Sequence, residues 1–152
     1  MKVLNDCIVI FISNNMWIYQ EKEFLEASPD DFGFIYLITN KINKRKYIGK
    51  KQFWSHRTKK VKGKKNKKHY IVESNWKTYW GSCEELTEDI KIFTEEFFTR
   101  EIIKICKTKG ELTFSEVEAQ IKMDVLTSIL KESQLREFYN GNIMNRWFSK
   151  IK

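Results

Sequence analysis

Two tyrosines, Tyr36 and Tyr47, stand in short segments that we predict to be neighbouring strands. A phenol with its ordinary pKa of about 10 is a poor base at neutral pH. Nearby cations favour the phenolate and lower that pKa, and Lys50 and Arg57 follow closely enough in the chain to have this effect. Two strand tyrosines could equally pack in a core without any chemistry. The pair therefore allows proton transfer without requiring it.

An acid-free block extends from Phe32 to Val72 and carries 14 of the 28 Lys and Arg residues of the chain. Its densest part has eight positive charges within residues 57–68. Crowded like charge is relieved by a polyanion, and nucleic acid provides one through its phosphates. A solvated lysine loop without a partner is the alternative, and a membrane is disfavoured because Val61 is the one apolar residue of this run. The candidate nucleic-acid contacts are Lys51, His56, Lys59, Lys60, Lys62, Lys64, Lys65, Lys67 and Lys68.

The composition fits one domain with a short appendage: 152 residues, a formal charge of +8 and 41% hydrophobic residues. No run approaches ~18 consecutive apolar residues, so we expect no membrane span. The cysteines Cys7, Cys83 and Cys106 are odd in number and far apart, which argues against a disulfide framework and a zinc site and indicates a reducing compartment. We expect a leader over residues 1–31, in which Met16 could be the true start, a domain over residues 32–146 and a short basic tail over residues 147–152.

The pattern of apolar residues predicts six elements in the order β-β-α-α-β-α. Residues 34–39 and 46–49 are predicted strands of a hairpin. Residues 52–60 are a predicted helix that carries Arg57, residues 84–93 a second helix, and residues 97–106 a third strand. The last helix is predicted over residues 113–130, with a core stripe of Phe114, Val117, Ile121, Val125 and Ile129. We therefore predict an α+β fold with a small, three-stranded, mostly antiparallel sheet flanked by helices.

The residues Phe34, Ile35 and Tyr36, followed after ten positions by Tyr47, Ile48 and Gly49, resemble the paired signature of the GIY-YIG nuclease superfamily. Phe34 stands where the family has its first glycine, and Gly33 lies one position earlier. The chain is also similar to a phage-encoded subgroup of homing-type endonucleases of the Seg kind. Segments that carry this similarity lie between residues 17 and 146.

The resemblance implies a role for each matching residue. Arg57, eight residues after Gly49, would clamp a phosphate, and Gly49 would let backbone and phosphate approach closely. Glu116 would hold a divalent metal, Mg²⁺ or Mn²⁺. Glu118 is the alternative ligand, but helix positions two residues apart face nearly opposite sides, so only one of the two glutamates can face the site. The remaining assignments are Tyr47 as the base that activates water, Tyr36 as its hydrogen-bonding partner, Lys50 as a neighbouring cation, and Asn140, with Asn142 as a lesser candidate, as a tie between the terminal turn and the site.

These assignments imply a metal-dependent DNA endonuclease that hydrolyses phosphodiester bonds in the cytoplasm, or in the host cytoplasm if the chain is phage-encoded. DNA and a divalent ion are the expected partners. The alternative is a non-catalytic nucleic-acid-binding protein that keeps the nuclease fold. A target sequence, the choice between nicking and double-strand cleavage, and the oligomeric state stay open.

Overall fold

The computed structural model describes residues 16–63 and 65–144, together with the backbone of residues 148 and 149. Within this part the chain forms two α-helices, a five-stranded sheet and two small two-stranded sheets. The α+β prediction is therefore confirmed. The strands are β1 (Trp17–Tyr19), β2 (Lys22–Glu23), β3 (Gly33–Asn40), β4 (Lys46–Gln52), β5 (Trp54–Lys59), β6 (Lys68–Glu73), β7 (Phe98–Cys106), β8 (Asn142–Ile143) and β9 (Phe148–Ser149), and the helices are α1 (Glu84–Phe93) and α2 (Lys109–Lys122).

The main sheet is larger than the sequence predicted. Its strand order is β2-β1-β7-β3-β4, with β1 parallel to β7 and the other pairs antiparallel. The prediction of three strands is wrong because Trp17, from the expected leader, packs its ring 5.0 Å from that of Phe34 and donates its indole N–H to the Trp76 carbonyl at 2.8 Å. A three-residue strand has no alternation pattern to reveal it.

The two faces of the sheet have different partners. Phe34, Tyr36 and Ile38 lie on one face, which packs on α1 and a cluster of aromatic side chains; we call it the aromatic face. Ile35 and Ile48 lie on the other face, which packs on α2; we call it the α2 face. Strand β4 is an edge strand, so side chains from both faces of the sheet can meet around this edge.

Phe34, the departure from the family signature, is a core residue. Its ring is fully buried and lies 4.8 Å from the ring of Phe53 and 5.0 Å from that of Trp17. Aromatic pairs at such distances add about 0.5–1.5 kcal/mol beyond their buried area. A large side chain at this position therefore strengthens the aromatic face instead of disturbing it.

The helix predicted over residues 52–60 is wrong. Residues Trp54–Lys59 form strand β5, which pairs antiparallel with β6. The helical spacing of Phe53, Trp54 and Arg57 is real, but Tyr70, Ile71 and Val72 provide a strand partner rich in β-forming residues. This partner lies beyond the lysine-rich loop, so a local pattern does not detect it.

The last helix begins earlier and ends earlier than predicted. Thr108 caps its start by accepting a hydrogen bond from the Glu111 N–H at 3.1 Å, and the chain leaves the helix before Asp124, which has φ of 50°. The predicted core stripe is wrong at Phe114, Ile121 and Ile129, which are 66%, 58% and 55% exposed, whereas Val125 is buried and Val117 packs against the core as predicted. The buried side of α2 carries Leu112 instead. The predictions of α1 and of the third long strand, β7, are confirmed.

The segment after α2 returns to the edge of the sheet. The Lys46 N–H donates to the Glu137 carbonyl at 2.7 Å, and the Tyr139 N–H donates to the Lys46 carbonyl at 2.8 Å. This contact brings Asn140 beside β4. In the part of the chain described here, neither helix is long and apolar enough to cross a membrane.

Candidate active site

A cavity of about 880 Å³ lies at the β4 edge of the main sheet. Tyr47 reaches it from the aromatic face, where it pairs with Ile38, and Lys50 reaches it from the α2 face, where it pairs with Ile35. Helix α2 contributes Glu116. The cavity thus joins the two faces around the edge strand. Further lining residues include Ser82, Cys83, Glu84, Thr113, Gln120, Tyr139, Asn140 and Asn142.

Glu116 and Lys50 form an ion pair in this cavity. The Lys50 Nζ lies 2.9 Å from Glu116 Oε2 and 3.4 Å from the Thr113 hydroxyl. Glu118, the alternative metal ligand, instead binds Lys122 at 2.7 Å on the solvent side of α2. The helix therefore presents Glu116 to the cavity and leaves Glu118 in a surface pair.

The two signature tyrosines are neighbours with different access to solvent. Tyr36 is buried, its ring centroid lies 6.1 Å from that of Tyr47, and Tyr47 approaches the Ser82 hydroxyl at 3.4 Å in the cavity. Burial, joined by the neighbouring Tyr79 and to a smaller extent by Glu116, raises the pKa of both phenols, and only the Ser82 contact lowers that of Tyr47. The expectation that Lys50 and Arg57 lower the phenol pKa is therefore wrong, because burial dominates.

Gly49 provides the space that the Tyr36 phenol fills. A β-carbon at Gly49 would lie 2.5 Å from the Tyr36 oxygen and 3.1 Å from a Tyr47 ring carbon. Gly81, with φ of 88°, likewise passes close to Tyr47, since a β-carbon there would lie 3.1 Å from its ring. Both glycines therefore allow the two phenols to pack between strand and loop.

Tyr79 lies behind the cavity, in contact with Tyr36. Its phenol contributes to the raised pKa of Tyr36, and the two rings meet edge to face with centroids 6.1 Å apart. The Lys51 ammonium lies 3.9 Å from the centre of the Tyr79 ring and donates to Asn75 Oδ1 at 2.7 Å. The aromatic segment of residues 76–80 is the sequence signal that could have identified this third phenol.

Asn140 holds the terminal segment to the edge strand. Its Nδ2 donates to the Ile48 carbonyl at 2.8 Å and its Oδ1 accepts from the Ile48 N–H at 3.0 Å. Tyr139, next to it, donates its hydroxyl to Asp89 at 2.6 Å, and burial raises the pKa of Tyr139 to about 12. Asn140 thus satisfies the backbone N–H and C=O of Ile48. Ile48 lies between Tyr47 and Lys50 on β4, so this contact ties the terminal segment to the strand that carries both residues.

Arg57 and the lysine-rich run lie apart from these residues. Among the described residues, Arg57 does not line the cavity; it is exposed on β5 opposite Tyr70. His56 and the described lysines of the run are also exposed, and Lys51 is half-buried. Lys64 lies outside the described residues, as does Cys7.

The residues of the cavity fit a hydrated divalent ion. Mg²⁺ keeps several waters and is commonly held by one or two carboxylates, and Glu116 offers one in a space that accommodates such waters. In residues 16–63 and 65–144 there is no group of three or more His, Cys, Asp or Glu side chains placed to hold a metal. This donor set suits Mg²⁺ or Mn²⁺ better than Zn²⁺.

The paired tyrosines, the edge cavity and the α+β sheet define a nuclease domain of the GIY-YIG class. The chain belongs to the family described as "Putative endonuclease segE, GIY-YIG domain", whose model matches residues 17–143 and so includes β1. The resemblance seen in the sequence is thereby confirmed. Comparisons with curated proteins and with solved structures give no significant match.

Proposed function

We propose that this protein is a metal-dependent endonuclease that hydrolyses phosphodiester bonds of DNA in the edge cavity. The observation that carries the proposal is the meeting of Tyr47, Lys50 and Glu116 in one cavity, although Tyr47 and Lys50 lie on opposite faces of β4 and Glu116 lies on helix α2. Hydrolysis of a phosphodiester requires an activated water and positive charge at the phosphoryl oxygens. The three side chains provide an acid–base group, a cation and a metal ligand for these tasks.

Glu116 would hold the ion, with waters completing its shell. When bound, a divalent ion supplies Lewis-acid charge to the phosphoryl group and to a leaving oxygen. Lys50, 2.9 Å from the same carboxylate, adds a second positive charge at the mouth of the site. Thr113 holds the Lys50 ammonium in place through its hydroxyl at 3.4 Å.

Tyr47 acts in its phenolate form as the base. The water oxygen forms a bond to phosphorus, its proton passes to the Tyr47 oxygen, and the bond from phosphorus to one sugar oxygen breaks. The released sugar oxygen takes a proton from solvent water and leaves as a hydroxyl group. Tyr36 is too buried to reach a substrate, and its role is to support the Tyr47 ring from behind through the contact between the two rings. Burial raises the pKa of Tyr47, so the phenolate is a minor species at neutral pH and becomes more abundant as pH rises.

The test is incubation with supercoiled plasmid in the presence of Mg²⁺ or of EDTA, followed by mapping of the product ends. We expect nicked or linear product in Mg²⁺, no product in EDTA, and none from Glu116→Ala. A wild-type protein that shifts DNA in a gel but never cuts it would favour the non-catalytic binding protein. Ends that cluster at one sequence of a phage genome would support a homing-type role.

A further inference from the structure

Strands β5 and β6 form a ribbon that does not join the main sheet. We call residues 54–73 the basic ribbon. Every described residue from position 56 to position 71 is exposed, including the apolar Ile71. The ribbon carries most of the Lys and Arg residues of the acid-free block, yet it contributes no residue to the described lining of the edge cavity. The positive charge of the ribbon is therefore available to a partner outside the domain core.

The base of the basic ribbon is firmly held. Phe53, just before it, is fully buried in the aromatic cluster, and the Trp54 indole N–H donates to the Asp31 carbonyl at 2.9 Å. On the returning strand, the Ser74 hydroxyl donates to the Gln52 carbonyl at 2.6 Å. A partner that binds the ribbon thus meets strands that leave the core in a fixed direction.

The strand register gives the ribbon two chemically different faces. One face presents the cross-strand pairs Arg57–Tyr70 and Lys59–Lys68, and we call it the cationic face. The opposite face presents the pairs His56–Ile71 and Thr58–His69. Like charges directly across a strand pair are unfavourable, so the Lys59–Lys68 pair favours an anion that lies over this face.

We propose that the basic ribbon docks by its cationic face into the major groove of duplex DNA, so that Arg57 recognises substrate and takes no part in bond cleavage. The proposal rests on the proposed function only in taking DNA as the partner. A major groove about 12 Å wide admits a two-stranded ribbon, and six residues extend about 20 Å. Arg57 at the middle of the face can bind a phosphate or the edge of a guanine, while the lysines contact the flanking phosphates.

Binding is measured with a fluorescent 30-base-pair duplex in EDTA, which separates it from cleavage. The test variant is Arg57→Ala with Tyr70→Ala, and the matched control on the opposite face is Thr58→Ala with His69→Ala. We expect the test variant to raise Kd about tenfold or more and to reduce the salt slope, because each lost phosphate contact removes about 0.9 from it. We expect the control variant to stay within about twofold of wild type, as is usual for substitutions that lose no contact.

Three results would overturn the proposal: equal weakening by both variants, wild-type binding by the test variant, or equally tight binding of duplex RNA, whose deep and narrow major groove does not admit a ribbon. With plasmid as substrate, the single variant Arg57→Ala should raise KM and leave kcat unchanged. A loss of kcat at unchanged KM would instead make Arg57 catalytic. If wild type binds DNA through the cationic face but never cuts it, the proposed function fails while this inference stands.

Discussion

The ammonium group of Lys50 lies 2.9 Å from the carboxylate of Glu116, and the two residues reach this contact from the edge strand and from helix α2. Their side chains are 37% and 21% exposed, so solvent weakens the pair. The pair holds the Glu116 carboxylate beside the Lys50 ammonium in the cavity, and under the proposed function a metal ion would replace Lys50 as its partner.

Replacement of Lys50 by methionine should therefore affect metal binding and cleavage in opposite directions. Without the competing ammonium, the Mg²⁺ concentration for half-maximal cleavage should fall, by up to about fivefold for a pair worth up to about 1 kcal/mol. The maximal rate should fall about 100-fold, because a positive group beside the phosphoryl oxygens is lost. Magnesium titrations of plasmid nicking measure both values. Lys122→Met, which removes a lysine paired with Glu118, is the control; an equal effect of the two variants would refute the role of Lys50.

Gly49→Ala should damage the site through Tyr36. The added β-carbon would lie 2.5 Å from the Tyr36 oxygen, so the phenol must move. Overpacking of this kind costs about 1–3 kcal/mol of unfolding free energy, which urea denaturation measures. Gly110→Ala in α2, where a β-carbon meets nothing within 4 Å, should be neutral or stabilising by about 0.5–1 kcal/mol. Equal stability of the two variants would contradict the packing described here.

The cleavage rate should rise with pH through the neutral range. Burial holds the pKa of Tyr47 above its ordinary value, so below that pKa the phenolate fraction grows about tenfold per pH unit. A plot of log kcat against pH at saturating Mg²⁺ should have a slope near one, and Tyr47→Phe should be slow and nearly independent of pH. If Tyr47→Phe kept the wild-type slope, another group would be the base.

The protein should lose stability at alkaline pH through Tyr36. Its pKa in the folded chain is raised well above 10.0 by burial, so unfolding releases a proton once pH exceeds the unfolded value. The contribution of Tyr36 is complete below about pH 10 and declines as pH rises from there toward the folded pKa. Urea unfolding at pH 8 and pH 11 should show that the unfolding free energy of wild type falls relative to that of Tyr36→Phe as the pH rises. A constant difference would mean that the Tyr36 pKa is not raised.

Local pattern predicted the parts of the site that lie on one hairpin. The polar turn between residues 40 and 45 joins two β-rich segments, and their antiparallel pairing sets Gly49 opposite Tyr36. The sequence could not show the contact of Lys50 with Glu116, because this contact depends on β4 being the edge strand of the sheet. Tyr79 was missed for a similar reason, since a loop residue reaches Tyr36 only once the aromatic cluster is packed.

The elements that the sequence predicted wrongly are determined by distant partners. Residues 54–59 become a strand because residues 68–73 pair with them across the lysine-rich loop. Arg57 therefore lies on an exposed ribbon and not on the predicted helix. Trp17 enters the sheet through a parallel contact with β7, whose residues follow it by more than 80 positions. In α2, apolar residues continue beyond the helix, but the left-handed conformation of Asp124 ends it there.

The most direct test of the proposed active site compares two glutamates of the same helix. Glu116 faces the cavity, whereas Glu118 binds Lys122 at the surface, so Glu116→Gln and Glu118→Gln change the same chemical group in two settings. Plasmid cleavage in Mg²⁺ should fall about 100-fold or more in Glu116→Gln and stay near the wild-type rate in Glu118→Gln, with duplex binding in EDTA retained by both. Wild-type cleavage by a folded Glu116→Gln protein would contradict the account.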